Sequence, residues 1–425
     1  MRNLLLRQFT HMINFCFDHL ISDRSDYPWP NLIQPTGSTT SADLSAARSA
    51  WSTQCPWVDF PRIIDYLRDE QVAHQVFLSS QAPQNSLYLV NICWFDHDTD
   101  YFALMLPATL EKLKRREIKF VMIYGEADSA LPIQKTIFKL CDRHNINPID
   151  VHVILGNSMA DIVPNFHFFD DDEIIFQRSQ QNNFATRLEW HDAPRSRRMT
   201  LLSRVHKSWR AYFCSWVWHH GFHKNSYFSY RMINHGEDMN PDSNPLNHTI
   251  KYDPEYQQIV SDFLKNAPFA ADQLGDQDHN YYGTRVDAHY QDSYWNCILE
   301  THLSLGDNMP GVFITEKTWK AIAHAQPFVI LGTAESLKHL RNQGYRTFGE
   351  LGITEGIDET YDCILDPTER FRAVFAAVKK INTLSPEQVT RLNLKVRDIV
   401  EHNQKLYWSN KKQKLENLFS SIVAS

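Results

Sequence analysis

The chain has 425 residues, of which 43% are hydrophobic and 22% charged, with a formal net charge of −7. A chain this long exceeds what one hydrophobic core ordinarily serves, so two domains are expected. The acidic balance argues against nucleic acid as the main partner, because duplex binding depends on neutralising phosphates, and no apolar run approaches the ~18 residues of a membrane span.

The first twenty residues break their apolar positions with Arg7, His11 and Asp18. They lack the continuous apolar core and small-residue cleavage site of a signal peptide and are expected to form an amphipathic helix. Residues 86–155 alternate strand and helix: SLYLVNI, PATLEKLKRR, IKFVMIYG, IQKTIFKLCDRH and VHVILGN. Such alternation implies a parallel sheet with right-handed crossovers. Residues 178–198 are polar and poor in aliphatics, which suits a linker. Residues 199–203 read as a strand, followed by the loop RVHK and a helix from about Ser208. A polar insertion lies between Met232 and Gln291, with one helical run near Pro254 to Leu264. Ser385-Pro386-Glu387 is a helix start, opening an amphipathic tail to Val423. The expected division is 1–190, an acceptor domain; 198–384, a donor domain; and 385–425, a helical tail. Seven scattered cysteines without a CxxC pair suit reduced thiols in a cytosolic compartment.

The most informative stretch runs from Tyr294 to Thr347. Phe313-Ile314 reads as the end of an apolar strand that stops at Thr315-Glu316-Lys317. Trp319, Ile322 and Ala323 then recur at helical spacing. Thr315 suits the N-cap, which places Glu316 and Lys317 in the first turn. Gln326-Pro327 ends that helix, and Phe328 to Leu331 reads as a buried strand closed by Gly332. Free backbone N–H groups, the positive end of a helix dipole and a lysine meet at one point, which suits a phosphate. A carboxylate beside them suits a ribose, whose hydroxyls it accepts. An isolated Glu-Lys pair is ordinarily two solvated charges, so the pair alone does not establish a nucleotide site.

The segment resembles the donor-binding motif of the alpha-1,3-fucosyltransferase family and of related glycosyltransferase-like proteins of large viruses and phages. Its counterparts here are Glu300-Thr301, Phe313 to Lys317, Pro327, and Phe328 to Gly332. The resemblance implies that Glu316 meets a ribose and Lys317 the donor phosphates. Phe313 stands where fucosyltransferases often have tyrosine, and can stack but cannot donate a phenolic hydrogen bond. The resemblance further implies an α/β, GT-B-like fold, with two Rossmann-like domains whose parallel sheets face each other across a cleft. The activity it implies is metal-independent inverting transfer of a sugar, fucose among the candidates, without a cofactor. The donor would be a nucleoside-diphosphate sugar, a GDP-sugar favoured, and the acceptor a glycan or other hydroxyl compound. The alternative is a non-catalytic nucleotide- or glycan-binding module.

A second cluster, Leu202 to Arg210, lies where a strand meets a helix. Arg210 matches the donor-phosphate arginine of the related proteins best, with Arg204 as runner-up; the plain reading is two exposed cations at a helix start. Glu300-Thr301 serves either to orient Lys317 or a loop N–H, or to touch the donor. Glu359 to Asp362 resembles an element of the phage relatives to which no mechanism attaches. His219, His220 and His223 lack a companion carboxylate or cysteine at ligand spacing, and Asp170-Asp171-Asp172 reads as a solvated charge run; no metal site is expected. An inverting transfer needs a base to take the acceptor proton. Glu126 and Asp128 are the leading candidates, Glu126 first, followed by Asp96 and Asp98, with His97 possible and Asn157 lining the cleft.

Overall fold

The computed structural model of the chain describes residues 12–18, 58–59, 63–92, 95–124, 130–170, 173, 189–233, 246, 248–271, 273–274, 277–278, 287–304, 311–352 and 356–425. The chain divides into two compact units, Met1–Asp170 with Asn410–Ser425, and Asp171–Ser409.

The first unit is built on strands β1 (Ile13–Phe17), β2 (Val58–Asp59), β3 (His74–Leu78), β4 (Ser86–Ile92), β5 (Ile118–Tyr124), β6 (Val151–Leu155) and β7 (Phe166–Phe168), with helices α1 (Ile63–Asp69), α2 (Pro107–Lys114) and α3 (Ala130–His144). The sheet order is β3-β1-β4-β5-β6-β7, parallel throughout, and β2 pairs antiparallel with the end of β4. Every residue of β5 is buried, as expected of a strand covered on both faces. Helix α3 buries Ile133, Ile137, Leu140 and Cys141 along one stripe. The five elements expected over 86–155 are all present. The N-terminal segment departs from expectation: Ile13–Phe17 is not helical but forms β1, inside the sheet between β3 and β4. Four of its five residues are buried, and isoleucine with two phenylalanines in so short a run suits a covered strand better than a helix.

The second unit contains β8 (Arg197–Val205), α4 (Ser208–His219), β9 (Ser226–Ile233), α5 (Pro254–Asn266), β10 (Phe269–Ala270), β11 (Ser293–Leu299), α6 (Glu316–Ala323), β12 (Phe328–Leu331), α7 (Ser336–Asn342), α8 (Pro367–Thr383), α9 (Pro386–Lys395) and α10 (Arg397–Tyr407). Its sheet runs β10-β9-β8-β11-β12, antiparallel only at β10. Gly221 ends α4 in the left-handed region at φ 74°, where glycine is unstrained. Phe313 and Ile314, expected as a strand, are buried but pair with no strand among the described residues; both sides of β11 are already taken, by β8 and β12.

The tail begins as expected, with Ser385 and Gln388 forming a reciprocal capping box and Pro386 in the first turn of α9. It then divides. Helices α9 and α10 belong to the second unit, whereas α11 (Lys412–Ala424) belongs to the first. There Phe419 meets Phe15 edge-on at 5.1 Å, and Lys119 Nζ donates to the last-turn carbonyls of Ile422 (2.8 Å) and Val423 (3.2 Å). The chain's division falls between Asp170 and Asp171, upstream of the expected linker; residues 178–188 of that linker lie outside the described residues. Among the described residues, no helix is long and apolar enough to cross a membrane. Cys16, Cys141, Cys214 and Cys297 are buried free thiols and Cys363 an exposed one.

Candidate functional site

Strands β8 and β11 are adjacent and parallel. From β8 the sheet continues to β9 on one side, and from β11 to β12 on the other. Open α/β sheets hold ligands outside the carboxyl ends of strands at such a switch point. Here those ends are Val205, followed by His206 and Lys207, and Leu299, followed by Glu300-Thr301.

Glu300 is almost fully buried, and its carboxylate is the hub of the region. Oε1 accepts from Thr315 N (3.3 Å) and Thr318 Oγ1 (2.6 Å). Oε2 accepts from Thr301 N (3.2 Å) and Thr315 Oγ1 (2.5 Å). Four donors on two oxygens are what makes a buried carboxylate tolerable. The neighbouring strand end is Gly332, where a Cβ would stand 3.1 Å from Glu300 Cβ; a larger residue there would push the hub aside.

Thr315 occupies the N-cap position of α6, yet its hydroxyl turns to Glu300 and makes no capping bond. Thr318 N reaches the Thr315 carbonyl at 3.1 Å, so the N–H groups of Glu316 and Lys317 are the ones left with neither an intrahelical acceptor nor a side-chain cap. Lys317 Nζ sits over the same turn, 3.1 Å from Thr301 Oγ1, 3.2 Å from Thr315 Oγ1 and 2.9 Å from Glu316 Oε1. Burial pushes the Glu316 carboxyl upward, but the charges of Lys317 and Lys320, the hydrogen bond from Lys317 and the charge of Arg210 outweigh it and hold the group below the usual carboxylate range. Glu316 is thus an ionised acceptor among cations.

Arg210, in the first turn of α4, is buried and reaches the same point. Its Nη2 donates to the Glu300 carbonyl at 2.5 Å and its Nη1 to Val205 O at 3.5 Å, with the guanidinium 5.2 Å from the Trp209 ring. His206 pairs through Nδ1 with the hydroxyl of the buried Tyr230. The structure therefore gathers Arg210, Glu300, Thr301, Thr315, Glu316 and Lys317. Phe313 is buried just before α6, its ring 6.1 Å from His302. Arg204 is half-buried at the irregularity of the β8–β9 ladder.

The third strand-to-helix junction, β12 to α7, is filled from within. Asp362 accepts from Leu337 N (2.7 Å), Lys338 N (2.9 Å) and Arg341 Nη2 (3.3 Å), while Glu359 accepts from Phe348 N at 2.7 Å. The Tyr361 hydroxyl accepts from Ile330 N at 3.4 Å. Burial pushes both carboxyls upward against these donors. The Glu359–Asp362 element is thus an internal clamp on the β12–α7 connection. Arg370 completes it, donating to the carbonyls of Gly332 (2.9 Å), Leu303, Ile364 and Leu365. Thr318, Lys320 and Arg370 were not singled out by sequence. Thr318 and Lys320 follow Thr315 and Lys317 at the three-residue helical spacing, a readable signal, whereas nothing local marks Arg370.

Glu126 and Asp128 lie outside the described residues, as do Asp171 and Asp172. Asp96 closes its own turn, accepting from Thr99 Oγ1 (2.6 Å) and Asp98 N (2.9 Å); the Thr99 bond above all holds its carboxyl below the usual range. His97 Nδ1 meets Thr136 Oγ1 at 2.7 Å. Buried Asn157 accepts from Met159 N at 2.9 Å. Asp170 is buried rather than solvated. His220 Nδ1 bonds the Trp216 carbonyl at 3.0 Å and His223 stacks on Trp218. Among the described residues, no group of three or more His, Cys, Asp or Glu could hold a metal ion.

No protein-family model matches the sequence, and no curated protein matches it. Among solved structures the chain is similar to the DNA-modifying enzyme beta-glucosyltransferase, determined with and without uridine diphosphoglucose. That similarity covers 97% of this chain and 100% of the other, at 10% identity and a TM-score of 0.35. A UDP-forming alpha,alpha-trehalose-phosphate synthase from Burkholderia xenovorans is similar over 91% of this chain and 86% of its own, at 10% identity and a TM-score of 0.31. A trehalose-6-phosphate synthase is similar over 88% and 80%, at 10% identity and a TM-score of 0.36. Likeness at this level carries no inference about activity.

Proposed function

We propose that the chain is a glycosyltransferase that binds a nucleoside-diphosphate sugar at the carboxyl edge of the second sheet and passes the sugar to a hydroxyl acceptor. The observation that supports this most is the uncapped first turn of α6, with Lys317 over it and Arg210 fastened beside it. Cations fixed around a site where a diphosphate leaves stabilise the charge that develops there. Glu316, ionised and partly exposed, suits a vicinal diol. In this reading no metal is needed, because two side-chain cations take its place at the leaving group. A GDP-sugar donor, fucose as the sugar and an inverting course rest on the motif resemblance. Glu126 and Asp128 are the proposed bases on sequence grounds, and a cytoplasmic setting rests on the scattered cysteines.

Thermal stabilisation by UDP, GDP and ADP, alone and as their sugar conjugates, tests the reading. A ligand at a hundred times its Kd adds about 2.7 kcal/mol of stability. One nucleotide series is expected to raise Tm, and its sugar conjugate to release the diphosphate in the presence of glycan acceptors. No stabilisation by any of them at millimolar concentration would overturn the nucleotide site. Stabilisation without release, across the acceptors tried, would favour a binding module.

A further inference from the structure

Glu300 fastens both cations of the site, each through a different part of the residue. Its main-chain carbonyl accepts from Arg210 Nη2. Its carboxylate acts on Lys317 through a hydroxyl. Both of its oxygens already accept from backbone N–H groups, and the Thr315 hydroxyl donates to Oε2 at 2.5 Å, which commits the threonine proton to Glu300. The lone pairs of Thr315 Oγ1 are then left for Lys317 Nζ at 3.2 Å. Thr301, whose N–H is also held by Glu300, offers its hydroxyl oxygen to the same ammonium at 3.1 Å.

We infer, resting on the nucleotide-diphosphate reading of this site, that Glu300 is a positioning residue rather than a ligand, and that it sets Lys317 and Arg210 as a two-cation clamp for a diphosphate. An ammonium has three protons. Two of those of Lys317 go to the hydroxyls of Thr315, whose own proton Glu300 holds, and of Thr301, whose main-chain N–H Glu300 holds. The third goes to Glu316, which is about one-fifth exposed. Glu316 is the exchangeable partner. A phosphate oxygen that takes the third proton frees the Glu316 carboxylate to accept a diol, so the two ends of one nucleotide are bound together. Fixing both cations beforehand spares the ligand the cost of ordering them.

The experiment compares wild type with Thr315→Val, which keeps the shape and removes the hydroxyl, and with Thr315→Ser, which restores it. Two quantities are read in each folded protein. One is the acylation rate of Lys317 by acetic anhydride at fixed pH, followed by peptide mass spectrometry. The other is affinity for inorganic pyrophosphate and for inorganic phosphate. Thr315→Val is expected to acylate faster at Lys317 and to bind pyrophosphate roughly 10-fold more weakly, with a smaller loss for phosphate. Thr315→Ser is expected to return both readouts toward wild type. Thr301→Val removes the other hydroxyl and is expected to accelerate Lys317 acylation as well, which keeps the test decisive should Thr315→Val fail to fold. An unchanged Lys317 acylation rate in a folded valine variant would overturn the positioning role. A changed rate in a protein that binds neither pyrophosphate nor any nucleoside diphosphate would leave Glu300 positioning Lys317 and refute the nucleotide reading instead.

Discussion

Lys317 Nζ stands 2.9 Å from Glu316 Oε1, with about a quarter of the lysine and a fifth of the glutamate side chain exposed. The two adjacent residues present a cation and an anion at one helix end, where the dipole by itself favours only the anion. The lysine gains little from the dipole, and its place is accounted for by the hydroxyls of Thr301 and Thr315.

Lys317→Ala is therefore expected to weaken nucleoside-diphosphate binding with little loss of fold stability. One charge-assisted contact of about 1.5–3 kcal/mol corresponds to roughly 10- to 150-fold in Kd. The ion pair with Glu316 is partly solvated and adds at most about 1 kcal/mol to folding. Calorimetric titration beside a thermal melt checks both halves. Undiminished diphosphate affinity in the folded variant removes Lys317 from the site.

Glu316→Gln keeps the shape and exchanges an ionised acceptor for a neutral amide. Ribonucleotide binding is expected to fall by about 1–2 kcal/mol. The loss should shrink for a 2′,3′-dideoxy nucleotide, which has no hydroxyl for the carboxylate to hold. Competition titrations of both nucleotides against wild type and variant decide it; equal losses for the two would exclude a ribose contact.

Sugar transfer is expected to survive EDTA, since Arg210 and Lys317 are proposed to stand where other enzymes place a divalent ion. Turnover abolished by chelation and restored by manganese or magnesium would refute this and return attention to Asp170 to Asp172.

The strands and helices of residues 86–155 could be read from sequence because each apolar run has the length and bounding turns of one element. Ile13–Phe17 could not: five residues inside a stretch with helical spacing carry too little period to identify a strand. Phe313-Ile314 misled for a different reason. Burial was legible, but whether a buried extended segment joins a ladder depends on which sheet edges remain open. The local chemistry at Glu316-Lys317 could be read because strand end, helix start and charges are contiguous. The hub role of Glu300 depends on Thr315 and Thr318, fifteen and eighteen residues away. The Arg370 contacts span up to 67 residues, beyond any local pattern.

The internal clamp makes Asp362 a stability residue. Asp362→Ala removes the acceptor of two backbone N–H groups at the start of α7 and of the Arg341 guanidinium. Buried donors left without a partner cost about 1–3 kcal/mol, or a fall of roughly 2–12 °C in the Tm of the second unit. Thermal denaturation followed by tryptophan fluorescence checks this. An unchanged Tm would mean that water replaces the carboxylate freely and that the junction is not closed from within.

The first unit carries its own acid sensitivity. His152 is fully buried on β6, with Nδ1 3.1 Å from His167 Nε2 and Nε2 3.3 Å from Ser425 Oγ on the segment after α11. Burial first, then the facing His167 and the nearby Lys119, push its pKa from the ordinary 6.5 down to about 3. The unfolded chain therefore binds a proton at this residue more readily than the folded one, and stability rises with pH wherever that holds. The contribution is complete above about pH 6.5 and is lost progressively as pH falls toward 3, with a total on the order of 4 kcal/mol. His167, also pushed downward by burial, adds to the same slope. His152→Gln cannot titrate there. It is expected to be less stable than wild type at pH 7, because the imidazole packing is lost, yet to lose less stability between pH 6.5 and 4. Urea denaturation at half-unit intervals measures the two slopes. Parallel slopes for wild type and variant would show that the folded His152 takes up its proton as readily as the unfolded one, and the buried pair would not be the source of acid lability.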